Sequence, residues 1–144
     1  MQQKGHLDDA NSTITEENIT KMVHHFYDQI REHPNLGPIF NEHVRDWDVH
    51  LAIMVDFWSS ILLKSGRFKG SPMGKHAAID GLSADLFHQW LDLFRETCKQ
   101  MPPELGQQAW HFAQRIGRSL WMGYQYAHHP DKTITELNYT PSTS

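Results

Sequence analysis

Eleven histidines and five tryptophans stand in this chain of 144 residues, and these side chains have to be sorted first. A surplus of histidine points to metal or proton chemistry, because imidazole titrates near neutrality and ligates metals. A surplus of aromatic rings points either to a heavy core or to a core built around something large and flat. Most of the histidines have a bland reading. His6 lies in a polar N-terminal stretch. His24–His25 and His128–His129 are adjacent pairs whose members diverge around a helix. His33 and His43 fall at helix ends or links, and His111 has no evident partner. His88 stands four residues before Asp92 on a polar stripe, a spacing that suits a surface pair or half of a metal site. Two remain. His50 shares an apolar stripe with Trp47 and Met54, and alone it reads first as a hydrogen-bonded core histidine. His76 follows the glycine-rich stretch GRFKGSPMG and precedes Ala77, Ala78 and Ile79, and alone it is ambiguous.

The elements that must position these residues read as helices. Residues 1–13 form a polar tail, a single helical unit of about 14–128 follows, and 129–144, HPDKTITELNYTPSTS, reads as a second polar tail. Thr13 and Glu16 have the spacing of a capping box. Ile19, Met22, Val23, Phe26, Tyr27 and Ile30 then recur at helical spacing until His33-Pro34. PNLGPIF reads as a short irregular link. Asp46 is a cap for a helix to about Lys64, with Trp47, His50, Met54, Phe57, Trp58 and Ile61 on one face. Gly66, Gly70, Pro72 and Gly74 break that pattern. A third long helix runs from about Ser83 to Met101 on Leu86, Phe87, Trp90, Leu91, Phe94 and Cys98. A fourth runs from Pro103 to His128 on Leu105, Ala109, Phe112, Ile116, Leu120 and Tyr124, with Gly106, Gly117 and Gly123 allowing close helix approach. No strand signal rises above noise, so the fold class is all-α.

Bulk properties narrow the function. A net charge of −4 argues against a nucleic-acid footprint. The single cysteine, Cys98, can make no internal disulfide, which suits a reducing compartment. The first thirteen residues have no apolar core and no run is long enough to span a bilayer, so the expectation is a cytoplasmic, monomeric protein without membrane or nucleic-acid partners.

Taken together, the polar rings suggest a site. Tyr27, His50 and Trp90 fall on the inner faces of three successive long helices and can offer an O–H, an imidazole and an indole N–H to one cavity. His76 comes from the irregular stretch and could approach from the other side. One axial ligand facing a set of hydrogen-bond donors is what a haem gas site requires.

The ordered pieces HFYDQI, LGPIFN, WDVHLAIMVDFWSSILL, G-x-F-x-G-x-P-x-x-x-H and LFHQWLDLF, spread over about residues 19–125, make the sequence resemble the truncated haemoglobins, and their third (P) group most. The double-glycine motifs of the other groups are missing after Phe40 and before His50, which agrees with that group. The resemblance implies a two-over-two helical sandwich and haem b, since no C-x-x-C-H motif for covalent attachment occurs. It implies His76 as the iron ligand and Tyr27, His50 and Trp90 as the distal, ligand-stabilising set. Phe40, Met54 and Phe57 would pack on the haem. His88 is a rival ligand, disfavoured by its polar face. Lys75, Arg67 and Lys69 are candidates for the haem propionates, with a solvated basic loop as the equal alternative. The implied ligands are dioxygen, carbon monoxide, nitric oxide or peroxide, with slow oxygen release. The alternative is a dedicated haem enzyme, peroxidase-like or a nitric oxide dioxygenase, served by a partner reductase, because no flavin or nicotinamide fingerprint is present. A non-haem bundle is the third reading, opposed by the Met, Phe and Trp of the inner faces.

Overall fold

The computed structural model describes residues 12–70, 79 and 81–140. Among them lie five helices, α1 Glu16–Glu32, α2 Leu36–His43, α3 Trp47–Leu62, α4 Ala84–Lys99 and α5 Pro103–His128, and no strand. None is long and apolar enough to cross a membrane.

Local chemistry sets the ends of each helix. The cap of α1 is Thr15, whose hydroxyl accepts from the Asn18 N–H at 3.1 Å. Thr13, expected as the cap, instead donates from its N–H and hydroxyl to Glu104 at the start of α5. The chain arrives there with Ile14 buried two residues before Glu16, so the helix begins one turn-fraction later than the capping-box spacing suggests. Asp46 caps α3 by accepting from the Val49 N–H at 3.2 Å, and Ser83 caps α4 through Leu86 at 3.2 Å. The link around PNLGPIF is helical, not irregular. His33 Nδ1 accepts from the N–H groups of Asn35 and Leu36, both at 3.1 Å, and so satisfies the first donors of α2.

α1 is the hub and packs against α2, α3 and α4, while α4 pairs with α5, giving two crossed helix pairs. Ile19, Met22, Val23, Phe26 and Ile30 of α1 meet Leu91 and Phe94 of α4 and Leu105, Ala109 and Ala113 of α5 in one core. Two glycines set how closely helices approach. A Cβ on Gly37 would lie 2.7 Å from the Arg31 carbonyl oxygen, and one on Gly106 would collide with the carbonyl oxygen of Cys98. Cys98 itself is buried, and desolvation pushes its thiol up to about 12.

α3 is fastened at its C-terminal end by a polar knot. Arg67 bridges Glu16 and Asp56, each at 2.8 Å. Fully buried Ser59 donates to the other Glu16 oxygen at 2.6 Å. The Arg67 and Ser59 hydrogen bonds hold the Glu16 carboxyl below its ordinary range.

The C-terminal segment is not a free polar tail as far as Thr140. Gln125 holds Thr135 through three hydrogen bonds of 2.8–3.1 Å. Leu137 is buried beside Leu91 and Gly117, and the Tyr139 hydroxyl donates to Asp92 at 2.6 Å. Two apolar anchors in a polar run suffice to seat it, too few to show as a periodic pattern.

Two outcomes follow from this packing. Gly106→Ala gains helix propensity of about 1 kcal/mol but must displace a backbone carbonyl, so a net loss of ~1–3 kcal/mol in urea unfolding is expected. Glu16→Gln should cost at most about 1 kcal/mol at neutral pH, because the pair is half exposed. Since the Glu16 pKa is depressed on folding, that difference should vanish as the pH falls through the folded value, below 4.5. Parallel unfolding curves of wild type and variant across acid pH measure it.

Candidate functional site

α3 is strongly apolar in sequence, yet only Trp58 and Ser59 of its residues are buried. Its remaining apolar face, Val49, Ile53, Met54 and Phe57, is turned to a cavity of about 580 Å³, within the ordinary range for a small-molecule site. α1 contributes Phe26 and Tyr27, α2 contributes Ile39 and Phe40, α4 contributes Trp90 and Phe94, and Ile116 and Leu120 close it from α5. Phe68, packed on Phe57 at 5.1 Å, forms another part of the wall. A small apolar recess of about 40 Å³ lined by Leu36, Leu82 and Leu86 adjoins it through Ile39, Phe40 and Trp90.

The polar groups expected to converge do so. Tyr27, His50 and Trp90 all line the cavity, as do Phe40, Met54 and Phe57. Tyr27 is 5% exposed and held by ring contacts to Phe26 at 5.0 Å and Phe40 at 6.0 Å. Its ring stands perpendicular to that of His50 at 5.0 Å. Burial raises the Tyr27 pKa far above its ordinary value, so the hydroxyl stays protonated and can donate. Among the described residues neither that hydroxyl nor the Trp90 indole has a hydrogen-bond partner. Trp90 is fixed by stacking on Phe94 at 6.2 Å and by an edge contact with Phe26 at 5.8 Å. Its N–H can only donate.

His88 is elsewhere. It does not line the cavity, and Tyr139 of the C-terminal segment covers its ring at 5.8 Å. Among the described residues its Nε2 is buried without a hydrogen-bond partner, so the His88 end of the expected wet stripe is roofed over. His76 and Lys75 lie outside the described residues. Arg67 is withdrawn from the propionate candidates by its ion pairs with Glu16 and Asp56, and neither it nor Lys69 lines the cavity. Among the described residues, Arg45 and the imidazole of His43 line it beside half-exposed Val49 at the mouth. The sequence offered one faint sign of them: His43 and Arg45 stand just ahead of the Asp46 cap, at the end of α2 and in the short link after it. Trp47 was also underrated, because its ring meets Tyr27 at 5.9 Å and His50 at 5.4 Å. Among the described residues no group of three or more His, Cys, Asp or Glu side chains could hold a metal by itself.

The comparisons agree with this geometry. No family model matches the chain. It is 36% identical over 89 residues to a group 3 truncated haemoglobin of Campylobacter jejuni, an alignment covering 59% of this chain and 70% of that protein. The crystal structure of a group III truncated haemoglobin from the same organism superposes with a TM-score of 0.73 at 28% identity, over 83% of this chain and 96% of that one. An all-helical two-over-two sandwich around an apolar slot defines a globin-type haem protein. This chain belongs to the group III truncated haemoglobins.

The cavity suits haem on its own terms: apolar walls from Phe40, Met54 and Phe57, donor groups on Tyr27 and Trp90, and the Arg45 guanidinium at the mouth for carboxylates. Tyr27→Phe removes a hydroxyl that no described residue satisfies, so the haem-free chain should keep its Tm. With haem loaded, the same change, or Trp90→Phe, should speed oxygen dissociation about tenfold, the loss of one hydrogen bond of roughly 1.4 kcal/mol. Stopped-flow ligand replacement measures the rate; unchanged rates in both variants would mean that neither donor faces the ligand.

Proposed function

We propose that this chain binds haem b through His76 and holds dioxygen, carbon monoxide, nitric oxide or peroxide in the cavity against Tyr27, His50 and Trp90. The observation that carries the proposal is the convergence of three polar rings from three helices on one apolar cavity. When bound, haem supplies the iron at which a diatomic ligand is taken. The chain's own residues set what happens beside it. Tyr27 keeps its proton at Oη across the physiological range, because burial disfavours the phenolate. Trp90 donates from Nε1. Two fixed donors in a cavity with apolar walls favour a ligand that carries partial negative charge, and so favour slow oxygen release over easy exchange. His50 packs edge-on to Tyr27 and also lines the cavity, where its imidazole can donate or accept according to tautomer. Arg45 and His43 are placed where they would hold haem carboxylates, and the Asp46 carboxylate there is engaged by its own helix N-terminus. The protein acts as a cytoplasmic monomer.

The same donors would polarise peroxide, or retain oxygen long enough to meet nitric oxide, and this favours the enzymatic reading as the second one. Turnover with a reductant and a partner reductase separates the two.

The first test is the absorption spectrum of the purified protein with haem, ferric and then ferrous with carbon monoxide. His76→Ala should abolish stable haem binding, and His88→Ala should leave the spectrum intact. The opposite pattern would overturn the ligand assignment, and a wild-type protein without a Soret band after haem addition would overturn the function.

A further inference from the structure

Trp47 is the first residue of α3 and does not line the cavity, yet two residues that do are packed on it. The His50 ring stands 5.4 Å from Trp47 at 84° and 5.0 Å from Tyr27 at 88°. Tyr27 and Trp47 are themselves 5.9 Å apart, so the three rings close a triangle. His50 is thus confined between two aromatic neighbours, one anchored in the core and one near the surface.

Trp47 in turn is held from outside its own helix. Its indole N–H donates to Asn41 Oδ1 of α2 at 3.2 Å. The guanidinium of Arg31, in the last turn of α1, lies 4.6 Å from its ring centroid, a cation–π contact. A side chain fixed by α1 and α2 therefore limits where a residue of α3 can go. To swing from Tyr27 toward the mouth at Val49 and Arg45, His50 must give up its perpendicular contact with Trp47 or carry Trp47 off both of its holders.

We propose that Trp47 is a positioning residue that latches His50 inward against Tyr27, with Arg31 and Asn41 holding the latch, and that it thereby sets how readily a small ligand reaches the cavity from the mouth. The proposal rests on the haem reading above. Its distinctive consequence is that Trp47 acts through His50 and has no influence on the ligand without it.

The experiment is flash photolysis of the haem-loaded protein under carbon monoxide, with the carbon monoxide infrared stretch recorded on the same samples. Trp47→Ala should raise the association rate by about tenfold, the scale of two lost aromatic contacts, and add a second infrared band. Trp47→Phe, which keeps a ring face, should restore much of the wild-type rate. Arg31→Met should move the rate in the same direction as Trp47→Ala by a smaller factor. In a His50→Ala background, Trp47→Ala should have no further effect. An equal effect in that background, or unchanged rates and bands in Trp47→Ala and Arg31→Met, would overturn the latch. Trp47→Phe and Arg31→Met keep the test open if the alanine variant fails to fold. A wild-type protein that takes up no haem defeats the function instead. The latch is then judged in the haem-free chain, where Arg31→Met, which leaves the Trp47 ring in place, must shift the His50 imidazole resonances in NMR spectra for it to stand.

Discussion

An apolar helix has to be kept from collapsing onto the core of a small protein. α3 turns Val49, Ile53, Met54 and Phe57 to a cavity instead of burying them, and hydrophobic packing alone would draw that face shut. What prevents this is that α3 is fastened at both ends by directional contacts. At its start, Asp46 caps the helix and Trp47 is pinned to Asn41 and Arg31. At its end, Ser59, Asp56 and Arg67 tie it to Glu16 at the head of α1. Fixed at two points on α1 and its neighbour, the helix can flank a slot without filling it.

The other pair of helices supplies the rigidity against which the slot is held. α4 and α5 approach so closely at Gly106 that no side chain fits there, and Phe94, Leu91, Leu105 and Ala109 are buried together in the core beside them. The C-terminal segment adds a strap across the outer side of the same pair, through Thr135, Leu137 and Tyr139. Trp90 thus points into the cavity from a helix backed on both sides. Its stacking on Phe94 limits how far the ring can turn.

Much of this was legible in the sequence, for identifiable reasons. α1, α4 and α5 carry long amphipathic patterns, so their extents and inner faces could be read directly, and Pro103 and His128 bound α5 as expected. Tyr27, His50 and Trp90 were legible because each is a polar ring on an otherwise apolar stripe. The misreadings share a cause: contacts between residues far apart in sequence leave no local periodicity. α2 was hidden because its first donors are satisfied by the ring of His33, not by a residue of its own. The strap at 135–139 was hidden because its partners, Gln125 and Asp92, lie on other elements. Arg67 looked like a free cation beside a glycine-rich stretch, and only the fold shows that Glu16 and Asp56 claim it.

The burial of Cys98 has a consequence for the protein's own durability. The chain has a single thiol, and with its pKa pushed up to about 12 almost none of it is thiolate at neutral pH. The thiolate is the form that oxidants and electrophiles attack. A protein whose pocket admits peroxide would therefore meet that oxidant without a reactive sulfhydryl to be consumed, crosslinked or converted to a sulfenic acid. The same property makes the thiol a built-in gauge of integrity: a thiol-selective dye that ignores the native chain will mark each molecule that has opened far enough to part α4 from α5.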